Sequence, residues 1–360
     1  MSKDIYITKR NGSREILDLD KMHFVVEEAC AGLAGVSSSQ IEMNADLQFY
    51  DGMTSEEIQE ILIKSANDLI SLENPNYQYA AARLLLYGLH KKVYMKYEHD
   101  SLTTIIDRNI ERGVYDANVK EKYTDTELKK MNTWLKHDRN EEFTYAGLRQ
   151  VVDKYLCQDR SNGNIYETPQ FMYMMIAATL FANYPKETRL SYVKKYYDAT
   201  SLFKINIPTP VMAGVRTPIR QFASCVLVDV DDTLSSIFSS NSAIGYYIAQ
   251  RAGIGINSGR TRAINSKIRG GEVAHTGVIP FLKVYESTVR SCTQNGVRGG
   301  SATTHFPIWH YEIDDILVLK NNKGTEDNRV RRLDYSIQIN KLFYERLLSG
   351  QDITLFSPHE

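Results

Sequence analysis

Residues 221–262 read QFASCVLVDVDDTLSSIFSSNSAIGYYIAQRAGIGINSGRTR, and two further segments follow, IRGGEVAHTG at 268–277 and CTQNGVRGGSAT at 292–303. The stretch begins with Ser224-Cys225 in a run of β-branched residues, which is typical of a strand. An Asp-Asp pair comes next, and the region carries four arginines, Arg260, Arg262, Arg269 and Arg298. Carboxylates, guanidinium groups and backbone amides around one thiol indicate nucleotide chemistry.

The composition around this stretch is that of a soluble globular protein, with 42% hydrophobic and 24% charged residues in 360. The net charge of -1 gives no global field that would attract nucleic acid or an anionic membrane, so neither is predicted as a partner. No apolar run is long enough to span a membrane, and the first residues lack a signal-peptide pattern. We therefore expect a cytoplasmic protein of two or three domains.

The thiols are the next feature of interest. The four cysteines are scattered without C-x-x-C spacing: Cys30, Cys157, Cys225 and Cys292. This spacing argues against a zinc module and against a secreted disulfide framework. A working thiol in this chain would act by redox or radical chemistry, and we expect no metal bound by the chain itself.

The first 95 residues have the pattern of a β-hairpin followed by helices. Asn11-Gly12 separates two short β-rich runs and predicts a hairpin with a two-residue type I′ turn. Four helices are predicted, at about 21–33, 38–50, 54–71 and 75–97. The third begins with a capping box of Thr54 and Glu57. The basic residues of this lid and bundle form either a solvated face or an anion site: Lys9, Arg10, Lys21 and Lys91.

The rest of the chain changes pattern near Pro218. Residues 96–220 are predicted to be mainly helical and to serve as scaffold. After Pro218, short β-rich runs alternate with helices, which predicts parallel strands with crossover helices. Five strands are expected, at 224–230, 254–257, 301–306, 334–340 and 353–356. Such a half-barrel would expose an unpaired edge and an uncovered interior, so another segment must close it.

Four motifs in this order carry a family resemblance: SCV at 224–226, QRAGIGIN at 250–257, RGGE at 269–272 and CTQNGVRGGSAT. Together they resemble the large catalytic subunit of class Ia ribonucleoside-diphosphate reductase, and residues 1–95 resemble its ATP-cone. The resemblance implies an α/β protein with a mainly helical N-terminal half. Its parts would be an ATP-cone (1–95), a helical domain (96–220) and the first half, five strands, of a ten-stranded α/β barrel (221–360). Either a naturally split large subunit or a shortened chain fits this division.

The resemblance also implies chemistry for Cys225. In the family a thiyl radical removes the 3′-hydrogen of a ribonucleoside diphosphate, water leaves, and a cysteine pair supplies two electrons; Cys225 matches one of that pair. From sequence alone, a cysteine in an apolar strand is more often an inert buried residue. Thr209, Ser224 and Gly253 match substrate-contacting positions, although Thr209 between two prolines also fits a simple rigid turn.

Two nucleotide sites are implied as well. The specificity site, which binds dTTP, dGTP, dATP or ATP, would use Asp232, Thr233, Leu234, Arg262 and Arg269. Asp232 would accept from a sugar hydroxyl while the arginines neutralise phosphates. The alternative is that Asp232 or Thr233 caps a helix and the arginines are solvated. A specificity loop would report the bound effector to the substrate through Cys292, Gln294 and Arg298.

The ATP-cone site would use Lys9, Arg10, Glu15, Lys21, Ser55 and Lys91. Two departures from the family pattern occur here, because Gln59 replaces a common histidine and Asp18 a common asparagine. An added carboxylate near a triphosphate weakens binding, so we expect dATP not to inhibit this protein strongly.

The resemblance implies several partners and effectors. These are the C-terminal portion of the large subunit, a small subunit with a diiron-tyrosyl radical, thioredoxin or glutaredoxin, a second large subunit, and ATP or dNTP effectors with Mg²⁺. A non-catalytic nucleotide sensor is the alternative function, although it would have no use for substrate-side residues. A NAD-dependent oxidoreductase is disfavoured because Gly253 to Gly255 lack the third glycine of the dinucleotide fingerprint.

Overall fold

The computed structural model describes residues 5–9, 12–96, 98–219, 221–292 and 299–358. The chain divides into two compact units, residues 1–220 and 221–360. Among the described residues, no helix is long and apolar enough to cross a membrane.

The first unit begins with an antiparallel hairpin, β1 (Tyr6–Thr8) and β2 (Arg14–Ile16). The predicted two-residue type I′ turn is wrong, because Thr8 pairs with Arg14 and the Lys9 N–H donates to the Ser13 carbonyl. Pairing of the two strands therefore ends at Lys9 and Ser13, so the connection between them is three residues long instead of two. Gly12 supplies the left-handed backbone, φ +83°, that such a connection requires.

Four helices pack beneath this hairpin: α1 (Leu19–Cys30), α2 (Ser38–Asp46), α3 (Ser55–Asp68) and α4 (Tyr77–Tyr94). The capping box at the start of α3 is confirmed, since the Thr54 side chain accepts from the Glu57 N–H and the Glu57 carboxylate accepts from the Thr54 N–H. The two reciprocal bonds satisfy backbone donors that the helix itself leaves unpaired. Local sequence alone therefore sets where α3 begins.

The remainder of the first unit is mainly helical, as predicted. Its elements are α5 (Leu102–Glu111), α6 (Asn118–Lys122), α7 (Asp125–Trp134), α8 (Tyr145–Lys154), a hairpin of β3 (Gln158–Asp159) and β4 (Asn164–Ile165), α9 (Pro169–Leu180), α10 (Lys186–Ser201) and α11 (Thr209–Gly214). Helix α9 is buried on all sides from Pro169 to Ala178. Because α4 packs against α8 and β4, one hydrophobic core runs from the bundle into this region.

A buried ion pair joins the end of the first unit to its centre. Arg216 and Glu167 are 1% and 0% exposed, and the Arg216 Nε donates to Glu167 Oε2 at 2.9 Å. The same carboxylate accepts from the Tyr115 hydroxyl at 2.5 Å and from the Cys157 N–H at 2.7 Å. The guanidinium also donates to the Tyr155 carbonyl at 2.9 Å. The pair is thus fully hydrogen-bonded, which is what offsets the cost of burying both charges.

The second unit is built on a parallel sheet. Its strands are β5 (Cys225–Asp229), β6 (Gly253–Asn257), β9 (Ala302–Pro307) and β10 (Asp334–Gln338), in the order β10-β9-β6-β5. A small hairpin of β7 (Lys267–Ile268) and β8 (Val273–Ala274) follows β6. Its helices are α12 (Leu234–Ala249), α13 (Ile279–Ser291), α14 (Ile313–Leu317) and α15 (Lys341–Ser349).

The two faces of this sheet differ. Ile254, Ile256 and Phe306 point to a buried core with side chains of α12 and α13. On the opposite face Cys225 is exposed and Leu227 is 83% exposed. The strands therefore form a sheet with one covered face and one open face, as a partial barrel requires.

The predicted fifth strand at 353–356 is wrong for the described residues. Phe356 forms only an isolated bridge with His310: its N–H donates to the Trp309 carbonyl, and its carbonyl accepts from the Tyr311 N–H. Ser357 is bonded in turn to Ala263 and so to the segment after β6. Residues 356–357 are therefore hydrogen-bonded to the segments that follow β9 and β6 rather than to β10. Within the described residues the sheet has four strands.

We predict that Arg216→Met will lower the free energy of unfolding by about 3–5 kcal/mol, because it leaves the Glu167 carboxylate buried without its cation. Urea unfolding followed by far-UV circular dichroism measures this loss. The matched control is Lys120→Met, which removes an exposed pair with Asp107 and should cost less than about 1 kcal/mol. Equal losses in the two variants would contradict the prediction.

Candidate functional site

The hairpin and bundle of the first unit enclose a cavity of about 340 Å³. It is lined by β1, β2 and helices α1, α3 and α4, and it contains five of the residues predicted for the ATP-cone site: Lys9, Glu15, Lys21, Ser55 and Lys91. The sixth, Arg10, lies outside the described residues. The structure therefore brings together side chains that are up to 82 positions apart in sequence, counting from Lys9 to Lys91.

Both positively and negatively charged side chains line this cavity. Lys9 Nζ lies 2.5 Å from a Glu15 carboxylate oxygen, and Lys91 Nζ lies 4.5 Å from the centre of the Tyr87 ring. Asp18 caps α1 by accepting from the Lys21 N–H at 3.0 Å. The Asp18 carboxylate thus lies at the helix N-terminus that lines the cavity, where an anion would otherwise be stabilised.

Gln59 is held by α4. Its amide donates to the Leu84 carbonyl at 2.8 Å, and a Cβ atom added at Gly88 would lie 3.1 Å from Gln59 Cγ. The Gln59 side chain thus packs against Gly88, which has no side chain to displace it. The sequence reasoning did not find Gly88, or the apolar cavity wall of Tyr87 and Met95. The signal for Tyr87 was its position one helical turn before Lys91.

The predicted thiol site lies on the open face of the sheet in the second unit. Cys225 is the first residue of β5 and is exposed. Its Sγ lies 3.8 Å from the Ser224 Oγ. The β5–β6 register places Cys225 opposite Gly253, whose N–H donates to the Ser224 carbonyl at 2.7 Å. Three predicted residues therefore meet at one strand pair, and the Cys225 thiol is exposed rather than buried as in the alternative.

A histidine that the sequence reasoning missed lies on the same open face. A Cβ atom added at Gly255 would lie 2.5 Å from Leu227 Cδ2 and 3.3 Å from His305 Nε2. Gly255 therefore leaves the space into which both side chains extend. The period-two burial of β9, with Phe306 buried and His305 half-buried, was the available signal for the position of His305.

Thr209 belongs to the first unit. It is the first residue of α11, after Pro208, and its hydroxyl lies 3.4 Å from that of Tyr155. The Pro-Thr-Pro sequence therefore opens a helix rather than forming the simple turn that was the alternative.

The residues of the predicted specificity site lie after β5 and β6. The Arg262 N–H and Nε donate to the two oxygens of Asp232 at 2.8 and 2.6 Å, and Arg262 Nη1 donates to the Lys267 carbonyl at 3.0 Å. Thr233 caps α12 by accepting from the Ser236 N–H at 3.1 Å. The capping alternative thus holds for Thr233. For Arg262 the alternative of a solvated side chain is wrong, because the Asp232 carboxylate is almost fully buried beneath it.

The two other residues of this group are at the surface. Leu234 is 62% exposed at the start of α12, and Arg269 is exposed at the turn of the β7–β8 hairpin. Arg269 itself adopts the left-handed backbone conformation, φ +51°. The segments after β5 and β6 therefore carry the paired guanidinium of Arg262, the exposed guanidinium of Arg269 and the N-terminus of α12.

The predicted specificity loop is described only at its ends. Cys292 directly follows α13 as its C-cap and is half-buried, with its sulfur 3.5 Å from the position of a Cβ atom added at Gly245. Gln294 and Arg298 lie outside the described residues. Gly300 packs so tightly that an added Cβ atom would lie 2.2 Å from the Val289 carbonyl oxygen, so only glycine fits where the loop returns to α13.

Across the portions of the chain that the structure describes, no group of three or more His, Cys, Asp or Glu side chains is arranged to hold a metal ion.

Comparison with known families assigns three successive parts of the chain. The ATP cone domain matches residues 5–92, the all-alpha domain of ribonucleotide reductase matches 141–220, and the barrel domain of ribonucleotide reductase matches 223–360. The last of these begins just before Ser224 and Cys225.

Relatives of known name agree with this assignment. The ribonucleoside-diphosphate reductase 1 subunit alpha of Escherichia coli is 54% identical over 360 residues, which is all of this chain and 47% of the relative. The subunit alpha of enterobacteria phage T4 is 46% identical over 99% of this chain and 47% of the relative. That of Helicobacter pylori is 35% identical over 99% and 44%. The chain spans about half the length of these relatives. It carries the ATP cone, the all-alpha domain and the N-terminal part of the barrel, and it belongs to the large-subunit family of ribonucleotide reductases.

Proposed function

We propose that this chain is the N-terminal part of a ribonucleoside-diphosphate reductase large subunit and that Cys225 is one of its two reducing thiols. The observation that carries the proposal is the exposed Cys225 beside Ser224 and Gly253, on the open face of a parallel sheet. A thiol on a barrel's inner face can reach a substrate, whereas a thiol under the helices could not.

The reaction balances with a cysteine pair as reductant. The 2′-carbon of the ribose loses its hydroxyl as water and gains hydrogen, while two thiols lose two electrons and two protons and become a disulfide. Hydroxide is a poor leaving group, and a radical at the 3′-carbon allows the 2′-hydroxyl to leave as water. Cys225 supplies one of the two thiols; the second thiol and the radical-bearing cysteine come from the C-terminal portion. Thr209, Ser224 and Gly253 would contact the substrate.

The open face supports the requirement for that C-terminal portion. Leu227 is 83% exposed beside Cys225, and β5 and β10 are the two edges of the described sheet. Apolar surface and free strand edges of this kind are normally covered in a working protein. The second half of the barrel would cover both and bring the missing thiols to Cys225.

Two effector sites would control the reaction. Asp232, Thr233, Leu234, Arg262 and Arg269 would bind a deoxynucleoside triphosphate or ATP with Mg²⁺, and the loop with Cys292, Gln294 and Arg298 would transmit its identity. Lys9, Arg10, Glu15, Lys21, Ser55 and Lys91 would bind ATP or dATP in the cone. Because Asp18 and Glu15 offset part of the lysine charge there, this second site would hold triphosphates weakly and dATP would inhibit little.

The remaining partners follow from the chemistry. A small subunit with a diiron-tyrosyl centre would supply the radical, and thioredoxin or glutaredoxin would reduce the disulfide after each turnover. A second copy of the large subunit would pair through the helices of the specificity region. Because the reaction needs reduced thiols, we place the enzyme in the cytoplasm.

The central prediction is that this chain, mixed with the C-terminal portion and the small subunit, reduces CDP over many turnovers with ATP as effector and a dithiol as reductant. Cys225→Ser should lower multiple-turnover reduction to background, because serine cannot form the disulfide. Formation of dCDP, separated by chromatography, measures the activity.

The matched control for this assay is Cys30→Ser, which removes a thiol whose pKa burial raises to about 11 and which lies outside the proposed site. It should leave dCDP formation unchanged. If an assembled mixture with intact effector binding makes no dCDP, the chain is a nucleotide sensor and the proposal fails.

A second prediction concerns Asp18. Asp18→Asn should tighten ATP and dATP binding to the cone by about threefold to tenfold, because it removes a negative charge near the phosphates while asparagine still caps α1. Isothermal titration calorimetry measures the dissociation constants. Asp20→Asn is the matched control, since Asp20 lies in the first turn of the same helix but does not line the cavity. Equal changes in both variants would contradict the prediction.

A further inference from the structure

Glu312 is a carboxylate that the proposed chemistry does not use. It is 4% exposed, and its Oε2 accepts from the Ile264 N–H at 2.9 Å. The Val278 N–H lies 3.2 Å from each of its two oxygens. No lysine or arginine of the described residues forms a salt bridge with it, so backbone amides are what hold this charge. Burial raises the pKa of the Glu312 carboxyl, and the two amides act in the opposite direction.

The two amides belong to opposite legs of the β7–β8 hairpin. Ile264 lies just before β7 and Val278 follows β8, and the legs are paired between them by Asn265 and His275. Arg269 is at the turn of this hairpin and Arg262 lies two residues before Ile264. One carboxylate therefore joins the two legs at the base of the segment that carries both arginines of the proposed specificity site.

Neighbouring residues hold the same segment. The Glu312 N–H donates to His310 Nδ1 at 3.2 Å, so the proton of this buried imidazole is on Nε2, which donates to the Thr261 carbonyl at 3.0 Å. The Ser357 hydroxyl oxygen accepts from the Ala263 N–H at 3.2 Å. The segment before β7 is thus fixed at three successive points, at Thr261, Ala263 and Ile264.

Gly277 shows how closely the second leg approaches the carboxylate. Its backbone is left-handed, φ +88°, and a Cβ atom added there would lie 2.5 Å from Glu312 Oε1. A side chain at this position would push the leg away from Glu312. Both the backbone conformation and the close contact therefore require glycine.

We propose that Glu312 is a positioning residue for the specificity site: by binding the amides of Ile264 and Val278 it holds the hairpin so that Arg262 and Arg269 face a nucleoside triphosphate. This inference rests on the proposed function of that site. Glu312 contacts neither the ligand nor the reacting atoms, and it acts only through the hairpin.

The test uses the 360-residue chain with dTTP and Mg²⁺ as probe. Binding is measured by calorimetry, and the part that Arg269→Ala abolishes reports this site. Glu312→Gln replaces one accepting oxygen by an N–H donor that faces the hairpin amides. It should raise the dissociation constant at this site about tenfold, as expected for loss of a hydrogen bond to a charged group.

Two further measurements separate positioning from general damage. Hydrogen exchange at Ile264 and Val278 should accelerate in Glu312→Gln, while ATP binding to the cone should stay unchanged. Glu286→Gln is the matched control, because the Glu286 carboxylate accepts from the Arg332 N–H at 2.8 Å away from the hairpin. It should leave dTTP binding at its wild-type strength. If Glu312→Gln does not fold, Glu312→Asp, which is too short to reach both amides, should show the same loss.

The outcomes distinguish this inference from the function on which it rests. Faster exchange with unchanged dTTP affinity would overturn the positioning role while leaving the effector site intact. Absence of any Arg269-dependent dTTP binding in the wild-type chain would overturn the effector site and the inference together. Tenfold weaker binding confined to the Glu312 variants would support both.

Discussion

The parallel pairing of β5 with β6 is the constraint on which both candidate sites of the second unit depend. Its register sets Cys225 opposite Gly253 at one end and Asp229 opposite Asn257 at the other. Because the two strands run the same way, the chain leaves both at the same edge, where Asp232 and Arg262 meet. A slip of one residue would turn Cys225 to the helix-covered face. One strand pairing thus positions both the Cys225 thiol and the Asp232 carboxylate.

The charge balance of the cone cavity follows from its secondary structure. Asp18 lies there because a helix needs a capping residue at its N-terminus, and that N-terminus lines the cavity. The residue that stabilises α1 therefore also places a negative charge near the lysines. Helix capping and the charge of the cavity are therefore coupled at Asp18, and an asparagine would keep the cap while removing the charge.

Local features of the fold were predictable and non-local ones were not. The capping box of Thr54 was predicted correctly because it involves two residues three apart in sequence. The hairpin connection and the strand at 353–356 were read wrongly. In the first case the register of β1 against β2 differs by one residue from the predicted one, which lengthens the connection. In the second case the backbone of Phe356 is hydrogen-bonded to Trp309 and Tyr311, about 45 positions away. Periodicity shows that a run is extended, but it does not show which strand it joins.

The sequence by itself determined the order of the parts and the presence of a thiol at the start of a strand, because motifs and helix caps involve residues that are close together in sequence. It also supplied the residues of the two proposed nucleotide sites. Only the tertiary structure decided that Cys225 is exposed, that Arg262 is paired with Asp232, and that Glu312 binds both legs of a hairpin. These depend on which face of a strand is covered and on contacts between residues 30 to 48 positions apart. Such contacts arise from packing, and no local pattern of residues specifies them.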